Sequence, residues 1–318
     1  MPAIDAPPLL PEDPAAFGML IEPHRAELVV HCYRMLGSLD DAEDAVQDAL
    51  VRAWNGRASF VRSGSLRAWL YRIATTASLD ALARRSRRRR ETSLDVEPAP
   101  DAWLAGAAVG PEARYELRES VSLAFLRALQ LLPARQRAAL ILRDVLGWRI
   151  EEIADLLETS VAAVNSALQR ARATVDATRP MVSSASTSPD RSLADRLDRF
   201  VRAWEAADVD GLVGLLRADA SLRMPPRPDV TGADAIAAFI VREILVPGGP
   251  NRLVPARANG GSAFVVVGPP VVGGEPRPFA VIVPQPDDRT LGFASIDATA
   301  RPSTVQRFAA AAGLARPS

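Results

Sequence analysis

Along the first ninety residues apolar positions recur every three to four places, the spacing of helices that each bury one face. Phe17, Leu20 and Ile21 open a stripe that Leu28, Val29, Cys32 and Leu36 continue as far as Gly37. Residues 39–54 predict a second helix with Ala42, Ala45, Val46, Ala49, Leu50 and Ala53 inward and an acidic outer face. After a loop over 55–64, a third helix starts near Ser65 and carries Leu66, Trp69, Leu70, Ile73 and Ala77. It ends in Arg84, Arg85, Arg87, Arg88, Arg89 and Arg90. The pattern then lapses over 91–112, where Pro98, Pro100 and Pro111 stand among glycines and acids and predict a linker.

Helical periodicity returns over 113–178, with Pro133 placed to open a helix and Gly147 to close one. Ile150, Ile153, Ala154 and Leu157 repeat at i, i+3, i+4, i+7 on one short helix. Glu158-Thr159-Ser160 makes a tight connection, and Val161, Val164, Leu168, Ala171 and Val175 stripe a second helix. Two short helices in this order form a helix-turn-helix. The outer side of the second carries Asn165, Ser166, Gln169, Arg170 and Arg172, residue types that reach base edges and phosphates in a major groove. The alternative is a polar face on an ordinary helical bundle. A second, serine-rich linker spans 179–191, and 192–318 changes character. Leu193, Leu197, Phe200, Val201 and Trp204 predict an amphipathic helix, 210–217 a second and 233–245 a third. β-like runs follow at 264–267, 279–283 and 291–296. The expected architecture is multidomain: two all-α domains, then an α+β domain.

Composition narrows the classes. At 318 residues, 48% hydrophobic and 24% charged, the chain has room for two or three domains of an ordinary globular protein. Its formal net charge is zero, so any nucleic-acid role must come from local asymmetry. All of its basic residues are arginines. Cys32 stands alone, which excludes an intrachain disulfide and a cysteine-based zinc site. His24 and His31 are the only histidines and read as half-buried structural residues, so neither a metal nor a cofactor is expected. The N-terminal MPAIDAPPLLPEDP has early acids and prolines in place of a basic and apolar leader. No apolar run reaches the length of about twenty residues that spans a bilayer, and a cytoplasmic protein is expected.

Three ordered motifs carry a resemblance. LDDAEDAVQDALVRAW at 39–54, SLRAWLYRIATTASLDALARRSRRR at 65–89 and the helix-turn-helix resemble the extracytoplasmic-function sigma factors of bacterial RNA polymerase. The resemblance implies that 14–90 is sigma region 2, binding core polymerase and the minus-ten element, and that 113–178 is region 4, reading the minus-thirty-five element. On this reading Phe60, Arg62, Arg67, Tyr71, Arg72, Arg84, Arg87 and Arg88 contact minus-ten DNA, duplex or melted. The family commonly has Asn where this chain has Thr76. Aromatic platforms and a cationic track are what capture of melted strands requires, although Trp69, spaced with Leu66, Leu70 and Ile73, reads as core. The acidic face of Asp41, Glu43, Asp44, Gln47 and Asp48 is unfit for phosphates and suits a basic protein partner. By resemblance it docks on the polymerase clamp through Asp41, Asp44, Gln47 and Asp48; the alternative is a solvated face with i, i+4 pairing. In region 4, Ser160 is the expected N-cap, and Ser160, Asn165, Ser166, Gln169, Arg170 and Arg172 are the expected upstream readers. Arg170 and Arg172 suit phosphates or guanines, Asn165 and Gln169 adenine edges.

The last block, 192–318, resembles the SnoaL-like domains, α+β cones around an apolar pocket that occur appended to some sigma factors. FVRAWEAADVDGLVGLLRADASLRMPP at 200–226 and TGADAIAAF at 231–239 carry the similarity. It implies a pocket for a small ligand. Enzymes of that fold move protons with pocket Asp, His or Tyr; this block has no His and no Tyr, and Asp219 and Asp297 read as surface or capping residues. A non-catalytic domain regulating the sigma module in cis is therefore expected. The WLPEP-like and DGGGR-like strings of one related group are absent. Two alternatives stand beside this reading: a helix-turn-helix transcriptional regulator that does not enter polymerase, and a DNA-binding module fused to a SnoaL-like isomerase or hydrolase.

Overall fold

The computed structural model describes residues 10–62, 65–88, 96–105, 120–178, 191–245, 251–269, 276–287 and 292–314. The chain divides into two compact units. One comprises residues up to 96 together with 104–179, the other 97–103 together with 180–318.

The first unit is helical. Asp13 caps α1 (Pro14–Leu36) by accepting from the Ala16 amide at 2.8 Å, and Pro14 supplies a first-turn residue whose missing N–H costs nothing there. Gly37, at φ 73°, ends that helix in the left-handed conformation that glycine adopts without a Cβ penalty. Ser38 at once caps α2 (Leu39–Gly56), whose first turn carries Asp40 and Asp41 against the positive end of the helix dipole. A 3-10 turn at Arg57–Arg62 leads to α3 (Leu66–Arg88), and α1, α2 and α3 pack pairwise. Phe17 meets Trp54 edge-on at 5.3 Å, and Leu28, Met35, Leu39, Val46, Leu70 and Ala74 are buried. Leu20, expected inward, is 40% exposed because it lies past the edge of the stripe that Phe17 and Ile21 define.

Among the described residues the unit continues with α5 (Leu123–Gln130), α6 (Ala134–Leu140) prolonged by a π turn at Ile141–Val145, α7 (Ile150–Leu156) and α8 (Val161–Thr178). Gly147 at φ 71° and Glu158 at φ 47° make the two tight turns. Ile153, Ala154 and Leu157 are buried, as are Val164, Leu168 and Ala171.

Buried arginines join the two helical groups. Arg34 on α1 donates to the Ser120 hydroxyl at 2.6 Å, and Gln130 donates to the Arg34 carbonyl at 3.4 Å. Arg137 on α6 donates to the carbonyls of Met35, Gln130 and Leu132 and to Gln130 Oε1. Burial lowers both guanidinium pKa values to about 10. Both remain charged at neutral pH, held by carbonyl dipoles and neutral side chains.

His31, fully buried in α1, meets the Thr75 hydroxyl at 2.9 Å and the Tyr71 ring edge-on. Burial, reinforced by the Arg34 charge, lowers its pKa from 6.5 to about 3. Between these values the unfolded chain binds a proton that the folded chain does not. His31 therefore contributes stability that is complete above pH 6.5 and falls as pH drops towards 3, by about 1.4 kcal/mol per pH unit. In urea titrations between pH 7 and pH 4, His31→Gln is expected to lower stability at pH 7 and to flatten the slope between pH 6 and pH 4 by one proton. An unchanged slope would contradict this assignment.

The second unit is α+β. Helices α9 (Arg191–Glu205), α10 (Val209–Val213) and α11 (Ala233–Ile240), the last prolonged by a π turn at Val241–Leu245, precede or interrupt a six-stranded sheet. Its strands are β1 (Leu216–Arg223), β2 (Val230–Thr231), β3 (Arg252–Ala258), β4 (Gly261–Gly268), β5 (Arg277–Pro286) and β6 (Phe293–Thr299), in the order β2-β1-β6-β5-β4-β3. Only β1 and β6 run parallel; the other neighbours are antiparallel. Phe200, Trp204, Ile236, Ile240, Phe264, Ile282 and Phe293 form the core, with Phe200 in ring contact with Trp204, Phe264 and Phe293. A last helix, α12 (Pro302–Ala311), packs on β4 and β5. The expected helix at 210–217 is corrected: it stops at Val213, and Leu216 onward is strand, since Leu216, Ala220 and Leu222 bury one side of an alternating sequence.

Residues 97–103, from the stretch expected to be a linker, are structural members of this unit. Pro100 pairs with Ala258 in an isolated antiparallel bridge. The Ala99 amide donates to Asn259 Oδ1 at 2.8 Å, and the Asn259 amide returns a bond to the Ala99 carbonyl at 3.1 Å. Asp101 accepts from the Gly260 amide at 2.8 Å and pairs with Arg257 at 3.1 Å, while Glu97 accepts from the Thr304 hydroxyl and faces Arg301 at 3.5 Å. Asn259 and Gly260, both at positive φ, form the β3–β4 hairpin turn. This turn aims the Asn259 side chain at the docked backbone. The short helix α4 (Asp101–Ala105) starts from the same Asp101.

Candidate nucleic-acid interface

Helix α8 sorts its side chains into three directions. Val164, Leu168 and Ala171 are buried, and the helical repeat puts Ala162, Ser166, Gln169 and Ala173 on the opposite, exposed side. Asn165, Arg172 and Asp176 flank that side on one hand and Arg170 on the other. Ser160 caps the helix, accepting from the Ala163 amide at 3.1 Å, and Ser166 folds its hydroxyl back to the Ala162 carbonyl. Gln169 is thus the long polar side chain at the centre of a strip otherwise made of small residues. Such a strip approaches base edges closely. An open groove of about 440 Å³ runs beside it, lined by Arg143, Ile150, Asn165, Leu168, Gln169, Arg172, Ala173 and Asp176. Arg172 is engaged across it: Asp144 accepts from Nε at 3.0 Å and from Nη2 at 2.6 Å.

On α3 the expected residues divide. Arg84 and Arg87 are exposed, and Arg72 is half-buried one turn before exposed Thr76, whose hydroxyl bonds the Arg72 carbonyl. Phe60 and Tyr71, expected to face DNA, are placed in the interior. Phe60 is 6% exposed and meets Trp69 edge-on at 5.3 Å, and Tyr71 is 2% exposed with its hydroxyl donating to Glu27 at 3.1 Å. In this structure neither ring is a stacking surface. Arg67 is exposed but tied to the same Glu27 at 2.7 Å and lies over the Tyr71 ring. Burial pushes the Tyr71 phenol well above its ordinary pKa. The side chains of Arg62 and Arg88 lie outside the described residues.

On α2, Asp41, Asp44, Gln47 and Val51 form an exposed row. Asp48, beside it, is held by Arg52 through two bonds of 2.7 and 3.2 Å, and Arg52 also reaches Asp80 on α3 at 2.7 Å. The Arg52 pKa is raised, first by its bond to Asp80. Asp48 thus serves helix packing as well as the acidic face. In the second unit, Asp219 is exposed and paired with Arg217 at 2.7 Å; Asp297 is buried, with Arg223 at 3.7 Å. Among the described residues no cluster of three or more His, Cys, Asp or Glu side chains is arranged to hold a metal, and no helix is long and apolar enough to cross a membrane.

One compact unit thus holds a helix-turn-helix with a polar outer helix, a three-helix group with an arginine-bearing α3, and an acidic face on α2. Residues 20–88 match the family described as Sigma-70 region 2, and residues 122–175 that described as Sigma-70, region 4. ECF RNA polymerase sigma factor SigG of Mycobacterium tuberculosis is 44% identical over 266 residues, covering 77% of this chain and 71% of that protein. SigJ of the same organism is 31% identical over 275 residues, covering 81% and 85%. The crystal structure of Mycobacterium tuberculosis SigJ matches the fold with a TM-score of 0.61 at 25% identity, over 91% of this chain and 98% of that one. The chain belongs to the ECF RNA polymerase sigma factors, subunits that bind core RNA polymerase and promoter DNA and direct initiation, and its C-terminal unit is the SnoaL-like domain.

Proposed function

We infer that the second unit regulates the sigma module in cis by holding the tether between its two DNA-reading parts. The observation that carries this is the docking of residues 97–103 on the β3–β4 hairpin and α12, through Ala99–Asn259, Asp101–Arg257 and Glu97–Thr304. Those residues lie between the region 2 match, ending at 88, and the region 4 match, starting at 122. An extended chain spans about 3.3–3.6 Å per residue, so anchoring this segment takes roughly 20 Å of chain out of the freely adjustable tether and fixes it to the second unit.

Reach matters because the two promoter elements lie about 25 base pairs apart, roughly 80 Å of B-DNA at 3.4 Å per step. A compact unit of some 150 residues has a radius of gyration near 15 Å, hence about 40 Å across. The two helical groups, joined in the first unit by Arg34, Gln130 and Arg137, therefore separate when both elements are read. In this reading α8 meets the upstream element, the Arg72–Arg84–Arg87 side of α3 the downstream one, and Asp41, Asp44 and Gln47 the polymerase. The protein acts in the cytoplasm and is not an enzyme. Ion pairing of Asp219 and Asp297 and an aromatic-filled core around Phe200 support a docking role for the SnoaL-like domain.

Run-off transcription with core polymerase tests this directly. Asp101→Ala combined with Asn259→Ala, and separately truncation after Thr178, are expected to raise initiation by a factor of several, because a docked tether stabilises the state with the shorter reach. Equal output from full-length, double-variant and truncated proteins would remove the regulatory role.

A further inference from the structure

Arg172 does not stand free on the recognition helix. Asp144, in the π turn at the end of α6, accepts from its Nε and Nη2, and the side chains are 52% and 35% exposed. The first cause of the raised Arg172 pKa is this bond. An exposed pair of this kind contributes little to stability. What the two-point contact does fix is direction. With the Nε–Nη2 edge occupied, the end of the guanidinium, Nη1 and the outer N–H of Nη2, is presented away from Asp144. That edge matches two phosphate oxygens.

Position along the helix decides what it meets. The N-terminal part of a recognition helix reaches base edges, whereas Arg172 lies about three turns beyond Ser160, on the flank of the Ser166–Gln169 strip. We propose that Asp144 is a positioning residue for promoter recognition, pre-aiming Arg172 at a phosphate of the upstream element; this rests on the reading that α8 faces that element. The two possible roles of Asp144 differ in sign. A carboxylate close to DNA and without a task repels phosphate, so its removal strengthens binding. A carboxylate that orients an arginine strengthens binding itself, and its removal weakens it.

The test uses the full chain in holoenzyme, on duplex promoter DNA selected by the wild-type holoenzyme from a library randomised in the upstream element. Arg172→Ala is expected to weaken binding about tenfold and to lower the salt slope by about one, the signature of a lost phosphate contact. Asp144→Ala is expected to weaken binding about fivefold in the native background and to strengthen it in the Arg172→Ala background, a coupling in the range seen for residues sharing one ion pair. Asp144→Glu, which keeps the charge, is expected to recover part of the loss. Both side chains are exposed, so thermal unfolding of each variant is expected to stay near wild type. Asp144→Ala binding as well as or better than wild type, with Arg172→Ala and Gln169→Ala still impaired, overturns the positioning role alone. Undiminished binding by Arg172→Ala and Gln169→Ala overturns the α8 reading and the positioning role with it.

Discussion

Replacing Arg84 and Arg87 with glutamate is expected to weaken promoter binding on the order of a hundredfold at physiological salt and to flatten its salt dependence by about two in slope. Both side chains are exposed on the last turns of α3. Arg87 makes a local bond from Nε to the Ala83 carbonyl, at 3.2 Å. That leaves its Nη groups for phosphate. Each arginine that neutralises a phosphate releases counterions and contributes about 0.9 to the slope of log K against log salt. Charge reversal removes the two contacts and adds repulsion. The competing explanation is that arginines at a helix C-terminus serve the dipole, which is worth no more than about 1 kcal/mol of stability at an exposed site. The two separate cleanly: titrating holoenzyme on promoter DNA at several salt concentrations, alongside urea unfolding of the free chain, reads both. A variant with native salt slope and affinity would make the cluster a solvated surface. The loss should be nearly uniform across promoter sequences, since phosphate contacts position the protein without reading bases.

Local signals were readable wherever one residue type has one physical use. Gly37, Ser160 and Gly147 mark helix ends as expected, because caps and left-handed turns depend on neighbours in sequence. The strand Leu216–Arg223 also carried its signal, the strict alternation LRADASLR, but the apolar residues before it extended a helical reading too far. The edge strand Arg252–Ala258 was hidden by Pro255, and the Asn259-Gly260 pair after it was the available hairpin signal. Burial of Tyr71 against Glu27, 44 residues earlier, and docking of Ala99 on Asn259, 160 residues later, have no local signature at all. Prolines at 98 and 100 read as a linker because Pro interrupts helices, whereas an extended Pro-containing segment also suits pairing at a sheet edge. On the recognition helix the side-chain types were legible and their partners were not. Asp144 lies 28 residues from Arg172 and meets it through the tertiary fold.

The largest effect on stability is expected at Arg137. Arg137→Met keeps most of the side-chain volume and removes every hydrogen bond to the carbonyls of Met35, Gln130 and Leu132 and to Gln130 Oε1. Buried carbonyls left without a donor cost roughly 1–3 kcal/mol each, partly offset because a desolvated guanidinium no longer has to be accommodated. A net loss of about 3 kcal/mol follows, about 6–12 °C in melting temperature at 2–4 °C per kcal/mol for a unit of this size. Activity should move the other way. The bond to Met35 helps hold the helix-turn-helix group on α1, and it must break if the two groups separate on a promoter. A substitution that destabilises the closed arrangement raises the fraction of chain competent to bind, and apparent affinity rises with that fraction. Below its melting temperature, Arg137→Met is therefore expected to unfold earlier and yet to form promoter complexes with core polymerase at lower concentration than wild type. Simple damage to the fold lowers both quantities together, and such a parallel fall would mean that the two helical groups stay joined on promoter DNA.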